Sequence, residues 1–251
     1  MAVNIFEKYG IKEVANVYFE ALDSDPSNGI EKGDIVLYLD TLKVSTIEQT
    51  AEEAEARGGK GNAPLIVWDY GKEITVTLED ALFSPKSLAM MFGDVNGIDE
   101  TNKTIKKTVR KEAIASDGSI TLNGKRIVPD EIKYYNAEGG LESDKDEQAV
   151  YAVLTLNVKS AQTIEVSANS FPGAYYVTGD TYARNEANGM DEFFQFIIPK
   201  AKVQSENTIT MEADGDPSVF NMSLKVLRPK DGVMMKLVKY DYEHEAASTG
   251  E

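Results

Sequence analysis

The sequence offers few of the side chains that most enzymes use for chemistry. It contains no cysteine and a single histidine, His244. General acid–base catalysis most often uses a histidine that its neighbours hold in a cleft, whereas His244 lies in a polar stretch where a solvated side chain is expected. Thiolate nucleophiles and disulfides are excluded, and serine triads and histidine-based metal sites lack the histidines they need. The sequence therefore predicts no catalytic residue.

Two acidic clusters and one glycine-rich stretch have some features of ligand sites. Neither cluster, residues 142–147 or residues 212–216, has the spacing of a calcium-binding loop, so solvated turns are favoured. The GGKGN stretch at 58–62 lacks the Ser or Thr that follows the lysine of a phosphate-binding loop, which favours a flexible loop. Among 42 acidic residues, a carboxylate pair for glycoside hydrolysis stays an alternative, but nothing positions one. No metal and no cofactor is expected.

Three pairs of adjacent aromatic residues could form stacking platforms for sugars or bases. They are Tyr134-Tyr135, Tyr175-Tyr176 and Phe193-Phe194. Because neighbouring side chains in a strand point to opposite faces, one member of each pair is expected to fill the core. Trp68 is interpreted as a core or interface anchor. A carbohydrate-binding β-sandwich with exposed tyrosines is therefore one alternative function.

The composition favours a folded and acidic protein. The chain has 251 residues, 42% of them hydrophobic, and a formal net charge of −16, so it can bury a sizeable core. Binding to free nucleic acid needs a concentrated basic surface, which is not obvious here, although an acidic protein can surround DNA that slides past it. The start of the sequence lacks the pattern of a signal peptide, and no stretch has the length of a membrane span. We expect a soluble protein that is made in the cytoplasm.

The elements that position these residues are mainly strands. Apolar residues recur with a step of two over 34–44, 73–78, 154–158, 194–198 and 222–226, as in strands. Asn123-Gly124 between two apolar runs predicts a tight hairpin. Many short strands with regular turns indicate a β-sandwich or partial barrel.

One short flanking α-helix is expected at about 84–92. Ser84 suits the N-cap, Pro85 suits the first turn and Gly93 suits the stop. Leu88, Met91 and Phe92 fall on one face of this helix, which could lie against a sheet. A weaker helical pattern covers 11–22.

The remaining segments are more polar. Residues 50–63, TAEEAEARGGKGNA, are interpreted as a long exposed loop. Residues 99–148 carry 20 charges of both signs and are interpreted as polar hairpins that elaborate the core. We expect a single β-rich domain over 1–240 that includes this charge-rich elaboration, followed by a flexible C-terminal tail at 241–251.

Two segments resemble the tail tube (major tail) proteins of phages that infect Gram-positive hosts. The first, 58–93, reads GGKGNAPLIVWDYGKEITVTLEDALFSPKSLAMMFG, and the second, within 175–229, includes YYVTGDTYARN, DEFFQFIIPKAK and MEADGDPSVFNMSLKVLRP. The resemblance implies a β-sandwich or barrel with a flanking helix. It also implies hexameric rings that stack into a tube through which DNA is ejected, with other tail proteins (baseplate, terminator and, in some tails, sheath) as partners and the virion tail as the location.

The polar stretch 50–63 then supplies the candidate contacts between copies. Edge strands of a β-protein must be paired or protected, and pairing with a neighbouring subunit can close a ring. The candidate residues are Glu52, Glu53, Glu55, Arg57 and Lys60, whose opposite charges could match between copies. Deleting residues 52–61 is expected to leave a folded monomer that cannot polymerise. The other open alternatives are a tube-initiating baseplate or tail-terminating component and a hydrolase with paired carboxylates.

Overall fold

The computed structural model describes residues 8–11, 13–26, 29–93, 99–143, 145, 147–206, 209 and 219–240. The chain divides into two compact units, one formed by Met1–Gly97 with Ile164–Glu251 and the other by Ile98–Thr163. The elements in chain order are β1 (Tyr9–Ile11), β2 (Asn16–Ala21), β3 (Ile35–Leu39), β4 (Leu42–Gly58), β5 (Ala63–Asp80), α1 (Pro85–Phe92), β6 (Asp99–Arg110), β7 (Ile120–Leu122), β8 (Lys125–Ile127), β9 (Glu131–Asn136), β10 (Leu141–Glu142), β11 (Ala149–Thr163), β12 (Ala174–Asn185), β13 (Asp191–Val203), β14 (Phe220–Val226) and β15 (Lys236–Tyr240).

The first unit contains one antiparallel sheet of nine strands among its described residues. Their order is β3-β2-β12-β13-β14-β5-β4, with β1 beside β12 and β15 beside β13. Only Asp40 and Thr41 separate β3 from β4, although these two strands are the opposite edges of the sheet. Since three residues span at most about 11 Å, the edges approach each other there and the sheet curls over its core without closing.

Alternation along the strands builds this core. Val17, Phe19, Val76, Leu78 and Leu224 are at most 1% exposed, while their sequence neighbours point to the opposite face of the sheet. Burying each such side chain contributes about 1.5–3 kcal/mol. The predicted mainly β, sandwich-like fold with a short helix is confirmed.

The helix forms where its capping residues predict it. The Ser84 hydroxyl oxygen accepts a hydrogen bond from the Ser87 backbone N–H, and the Ser87 hydroxyl oxygen accepts one from the Ser84 backbone N–H, which completes a capping box. Gly93 ends the helix with φ of 85°, in the left-handed region that favours glycine. The helix buries Ala89, Met90 and Met91, so the buried face includes Met91 as expected but not Leu88 and Phe92, which are half-buried.

Two local predictions on this sheet are wrong. Residues 11–22 do not form a helix, because Val17 and Phe19 of β2 are both buried with a spacing of two. Residues 34–44 do not form one strand, because the chain turns between β3 and β4. The Asp80 carboxylate accepts hydrogen bonds from the Thr41 hydroxyl and from the Leu82 backbone, which fixes this turn.

The second unit has its own small core. A four-stranded sheet of order β10-β9-β11-β6 and the β7–β8 hairpin enclose a buried cluster that comprises Ile114, Ile120, Ala152, Leu154 and Leu156. Asn123 and Gly124 join β7 to β8 with φ of 49° and 73°. Positive φ at both turn residues is the geometry of the tight hairpin that Asn-Gly predicts, so that prediction is confirmed.

Candidate assembly surface

The longest hairpin of the first unit leaves the sheet as a two-stranded ribbon. β4 has 17 residues and β5 has 18, but β14 pairs with β5 only from Thr75 to Asp80. Residues 51–72 therefore pair only within the hairpin and form a structure that we call the ribbon. Every residue of β5 from Ala63 to Glu73 is exposed, whereas Ile74, Val76, Leu78 and Asp80 are buried.

The interpretation of 50–63 as a loop is wrong, although the segment is exposed as expected. Residues 50–58 belong to β4 and pair with β5 as far as Ala63. The turn is confined to 59–62, where Gly59, Gly61 and Asn62 have φ of 77°, 93° and 50°. Alanine and glutamate are depleted in strands, so this composition predicts a loop. The β-favouring residues that hold the ribbon together lie on the partner strand.

Cross-strand pairing gives the ribbon two different faces, since directly opposed residues share a face. Ala54 lies opposite Trp68 and Ala56 lies opposite Ile66. The apolar face of the ribbon comprises Ala54, Ala56, Ile66, Trp68 and Tyr70, with Glu52 opposite Tyr70 at its end. On the acidic face Glu53 lies opposite Asp69 and Glu55 opposite Val67.

The apolar face is open to solvent. Ile66, Trp68 and Tyr70 are 53%, 52% and 53% exposed. Contiguous exposed apolar residues indicate a contact surface. Of the two interpretations of Trp68, the core anchor is wrong and the interface anchor stays a prediction. The unbroken apolar run at 65–68 is a signal that sequence reasoning can find, but it predicts burial equally well.

The five candidate interface residues do not share one face. Glu52 pairs with Tyr70 on the apolar face, whereas Glu53 and Glu55 lie on the acidic face, and Lys60 lies in the turn. Arg57 forms an ion pair with Glu55 of the same chain. In the described part of the chain Glu52, Glu53 and Lys60 form no ion pair, so their charges stay available to another molecule.

One tyrosine of each Tyr-Tyr pair packs in or against a core as expected, whereas Phe193 and Phe194 are both half-buried and neither belongs to the core. Tyr175 is 5% exposed, and burial raises its pKa to about 12, whereas Tyr176 is only half-buried. Phe194 contacts the ring of Tyr9 at 5.2 Å, and Phe193 contacts other rings, those of Tyr182 and Tyr240. Tyr134 packs against the core of the second unit. These rings mostly stabilise the sheets.

The shifted carboxylates are explained by structural hydrogen bonds. Hydrogen bonds from Ser119 and then Arg126 lower the pKa of Asp117 to about 2, and hydrogen bonds from Arg184 lower the pKa of Asp191.

No group of three metal-binding side chains occurs among the described residues. His244, the cluster at 212–216, Asp144, Asp146 and the tail at 241–251 lie outside the described residues. Within the described ranges, no helix is long and apolar enough to cross a membrane.

Comparison with known proteins identifies the family. A model of the YomU/Tube protein family matches residues 9–239, which is most of the chain. The chain belongs to this family. This chain is also similar to the tail tube protein of Bacillus phage SPR. The two sequences are 31% identical over 131 residues, which are 51% of this chain and 44% of that protein. The match thus spans less than half the length of that relative. The resemblance to tail tube proteins that residues 58–93 and 175–229 carry is confirmed.

Proposed function

We propose that this chain is the repeating structural subunit of a phage tail tube. Its copies form hexameric rings, the rings stack, and the bore is the conduit for DNA ejection. The observation that carries the proposal is the ribbon, whose exposed apolar face needs a partner, on a chain of the YomU/Tube family. The proposed location is the virion tail after assembly in the host cytoplasm. Other partners are the baseplate and terminator proteins and, in a contractile tail, a sheath.

The ribbon supplies the contact to a neighbouring copy. Large aromatic side chains at the centre of an interface supply most of its binding energy, and Trp68 lies at the middle of the apolar face, between Ile66 and Tyr70. The charges of Glu52 and Glu53 at the margin set the orientation and exclude wrong partners more than they add affinity.

The edges of the sheet supply the contact within a ring. β3 and β4 each pair with one strand only among the described residues, so each presents a row of free backbone groups. An unprotected edge favours pairing with another chain. A head-to-tail contact between the β3 edge of one copy and the β4 edge of the next closes a ring when the rotation closes.

The face of the sheet opposite the core supplies the lining of the bore. Around β5 this face is polar, and it carries Thr46, Glu48, Glu73, Thr75, Thr77, Glu79, Asn221, Ser223 and Lys225. Lys225 forms an ion pair with Glu73 at 2.8 Å, so Glu48 and Glu79 are the carboxylates left to set the potential. Carboxylates on such a lining repel phosphate within a Debye length of about 8–10 Å. DNA then passes without a binding site that would hold it, which fits a chain with a net charge of −16.

The test removes the ribbon and leaves the sheet intact. Thr50 lies directly opposite Glu73, so replacing residues 51–72 by Asn-Gly closes the hairpin with a two-residue turn. Electron microscopy of the purified chain at rising concentration is expected to show stacked hollow tubes. The shortened variant is expected to keep its circular dichroism spectrum and to form no tubes.

Deleting residues 52–61 alone is a poorer test, because it leaves most of the β5 half of the ribbon without its partner strand.

Two neighbouring substitutions serve as matched controls. Trp68 and Val67 are 52% and 49% exposed and point to opposite faces of the same strand. Trp68→Ala is expected to block tube formation, and Val67→Ala is expected to permit it. Normal tubes from the shortened variant would refute the role of the ribbon. Single rings that never stack would instead indicate a terminator or baseplate component.

A further inference from the structure

The sheet of the second unit has one face that its own core does not cover. On β11, Ala152, Leu154 and Leu156 are buried in that core, so the residues between them point to the other side. We call that other side the outer face. It comprises Thr104, Lys106, Thr108, Arg110, Glu131, Lys133, Tyr135, Leu141, Tyr151, Val153, Thr155 and Asn157.

The outer face presents a row of aromatic and cationic side chains. Leu141, Tyr135, Tyr151 and Arg110 are directly opposed across four adjacent strands. With strands about 4.8 Å apart, this row is roughly 15 Å long. Tyr151 is 41% exposed and Leu141 is 66% exposed. Thr108 lies two residues from Arg110, and Thr155 and Asn157 continue the outer face along β11, about 14 and 20 Å from Tyr151.

Two cations of this face are free of intramolecular ion pairs. Within the described ranges neither Lys106 nor Arg110 forms an ion pair, whereas Lys133 lies 3.4 Å from Glu131. Lys106 and Arg110 are four residues apart on β6, which is about 14 Å along a strand. Both side chains are exposed.

We propose that the outer face binds a saccharide chain that carries widely spaced acidic groups. The apolar faces of the sugar rings lie against Tyr135 and Tyr151, since tyrosine combines a large apolar ring with a polar hydroxyl. Arg110 and Lys106 hold the acidic groups through charge-assisted hydrogen bonds. The threonine hydroxyls and Asn157 bond sugar hydroxyls. This proposal is independent of tube assembly, since it rests on the second unit alone.

The charge distribution favours this occupant over two others. Two copies of the outer face would bring Lys106 and Arg110 against their own like charges, which disfavours self-association through this face. A nucleic acid strand carries a phosphate at every nucleotide and needs a concentrated basic surface. The second unit instead contains ten Lys and Arg against eleven Asp and Glu. A saccharide with sparse acidic groups matches two free cations about 14 Å apart.

Saturation-transfer difference NMR on the full chain tests the proposal, because it works for single subunits and for large assemblies. The probes are oligosaccharides of hyaluronan, in which only every second ring carries a carboxylate, with neutral maltohexaose and an oligo-thymidine strand as comparisons. Saturation is expected to reach the sugar-ring protons of hyaluronan. The double variant Tyr135→Ala/Tyr151→Ala is expected to lower that signal at least fivefold, and Arg110→Gln/Lys106→Gln to lower it to the level of maltohexaose.

Tyr38→Ala provides the matched control, because Tyr38 is 53% exposed on a sheet of the first unit. It should leave the signal unchanged. The proposal is overturned if no hyaluronan oligosaccharide receives saturation, or if the tyrosine double variant binds as the unmodified chain does. Displacement of the saccharide by oligo-thymidine at lower concentration would overturn it in favour of nucleic acid. Circular dichroism of each variant shows that the second unit is still folded.

Discussion

At the scale of single residues, one glycine on β12 makes room for a ring of the core. Gly179 lies directly opposite Phe196, and a Cβ atom at Gly179 would lie 1.9 Å from Cζ of that ring. The ring thus covers the space that a side chain would fill, a known way to stabilise a glycine in a strand. Phe196 is itself only 5% exposed.

Gly179→Ala is therefore expected to destabilise the fold by about 1–3 kcal/mol, the usual cost of overpacking. Urea denaturation measures this change in the free energy of unfolding. Gly10→Ala is the control, because no heavy atom lies within 4 Å of the added Cβ. If both variants unfold at the same urea concentration, the Phe196 ring does not constrain position 179. Adding Phe196→Leu to Gly179→Ala should recover part of the loss.

A second residue-scale contact links the ends of the strands. The Glu192 carboxylate accepts a hydrogen bond from the Asn185 amide at 2.8 Å and lies 2.6 Å from Nζ of Lys239. Hydrogen bonds from Lys239 and then Asn185 lower the pKa of Glu192 from its usual value of 4.5. The charged form is thus favoured in the folded state, which ties together β12, β13 and β15.

The direction of that shift predicts how stability depends on pH. A carboxylate with a lowered folded-state pKa adds stability that is fully present above about 4.5 and is lost as the pH falls through the folded value. Glu192→Gln should lower the melting temperature at pH 7, and the difference from the unmodified chain should shrink below pH 4. Glu186→Gln is the control, since Glu186 is 67% exposed and 3.8 Å from Lys8. A constant difference across pH would exclude this titration.

At the scale of elements, sequence reasoning succeeds where the signals are local. Ser84 and Gly93 fix the helix because caps act within one turn, and Asn123-Gly124 fixes a hairpin through its own backbone preference. The errors at 11–22 and 50–63 concern segments whose structure depends on a partner strand. Residues 50–58 are a strand because β5 pairs with them, and tertiary context overrides weak propensity.

The candidate site is predicted only in part for the same reason. The sequence places charged residues in an exposed segment, and the structure confirms their exposure. Which of them share a face depends on the register between β4 and β5, with its shifts between Thr50 and Glu52 and between Ala56 and Arg57. Alternation along β4 alone separates Glu52 from Glu53, but only the register brings Ala54 opposite Trp68 and Ala56 opposite Ile66 and so assembles the apolar face.

The second unit is expected to be removable as an element. Asp99 at the start of β6 lies directly opposite Thr163 at the end of β11, about 5 Å away between Cα atoms. Replacing residues 99–163 by Gly-Gly should leave the first unit folded, because the two buried clusters share no residue. Circular dichroism and thermal unfolding check this expectation. Deleting only β6 is the contrasting variant, since it exposes the small core, and it should misfold.

At the scale of the whole molecule, the negative charge belongs almost entirely to one unit. The second unit has a formal charge of −1 from its eleven acidic and ten basic residues, so the first unit carries −15 of the total −16. In the proposed tube, copies of the first unit approach each other closely. Their association therefore has to overcome mutual repulsion, and its driving force must come from apolar burial and backbone pairing.

This balance predicts that salt promotes assembly. The Debye length falls from about 30 Å at 0.01 M salt to about 8 Å at 0.15 M, so repulsion between first units weakens while the apolar face of the ribbon is unaffected. The critical concentration for tube formation, measured by sedimentation, should fall as salt rises over this range. Glu53→Gln/Asp69→Asn removes two charges of the acidic face and should weaken the salt dependence. If tubes instead dissociate as salt rises, ion pairs between copies hold them together, and Glu52, Glu53 and Lys60 become the contacts to reverse in charge.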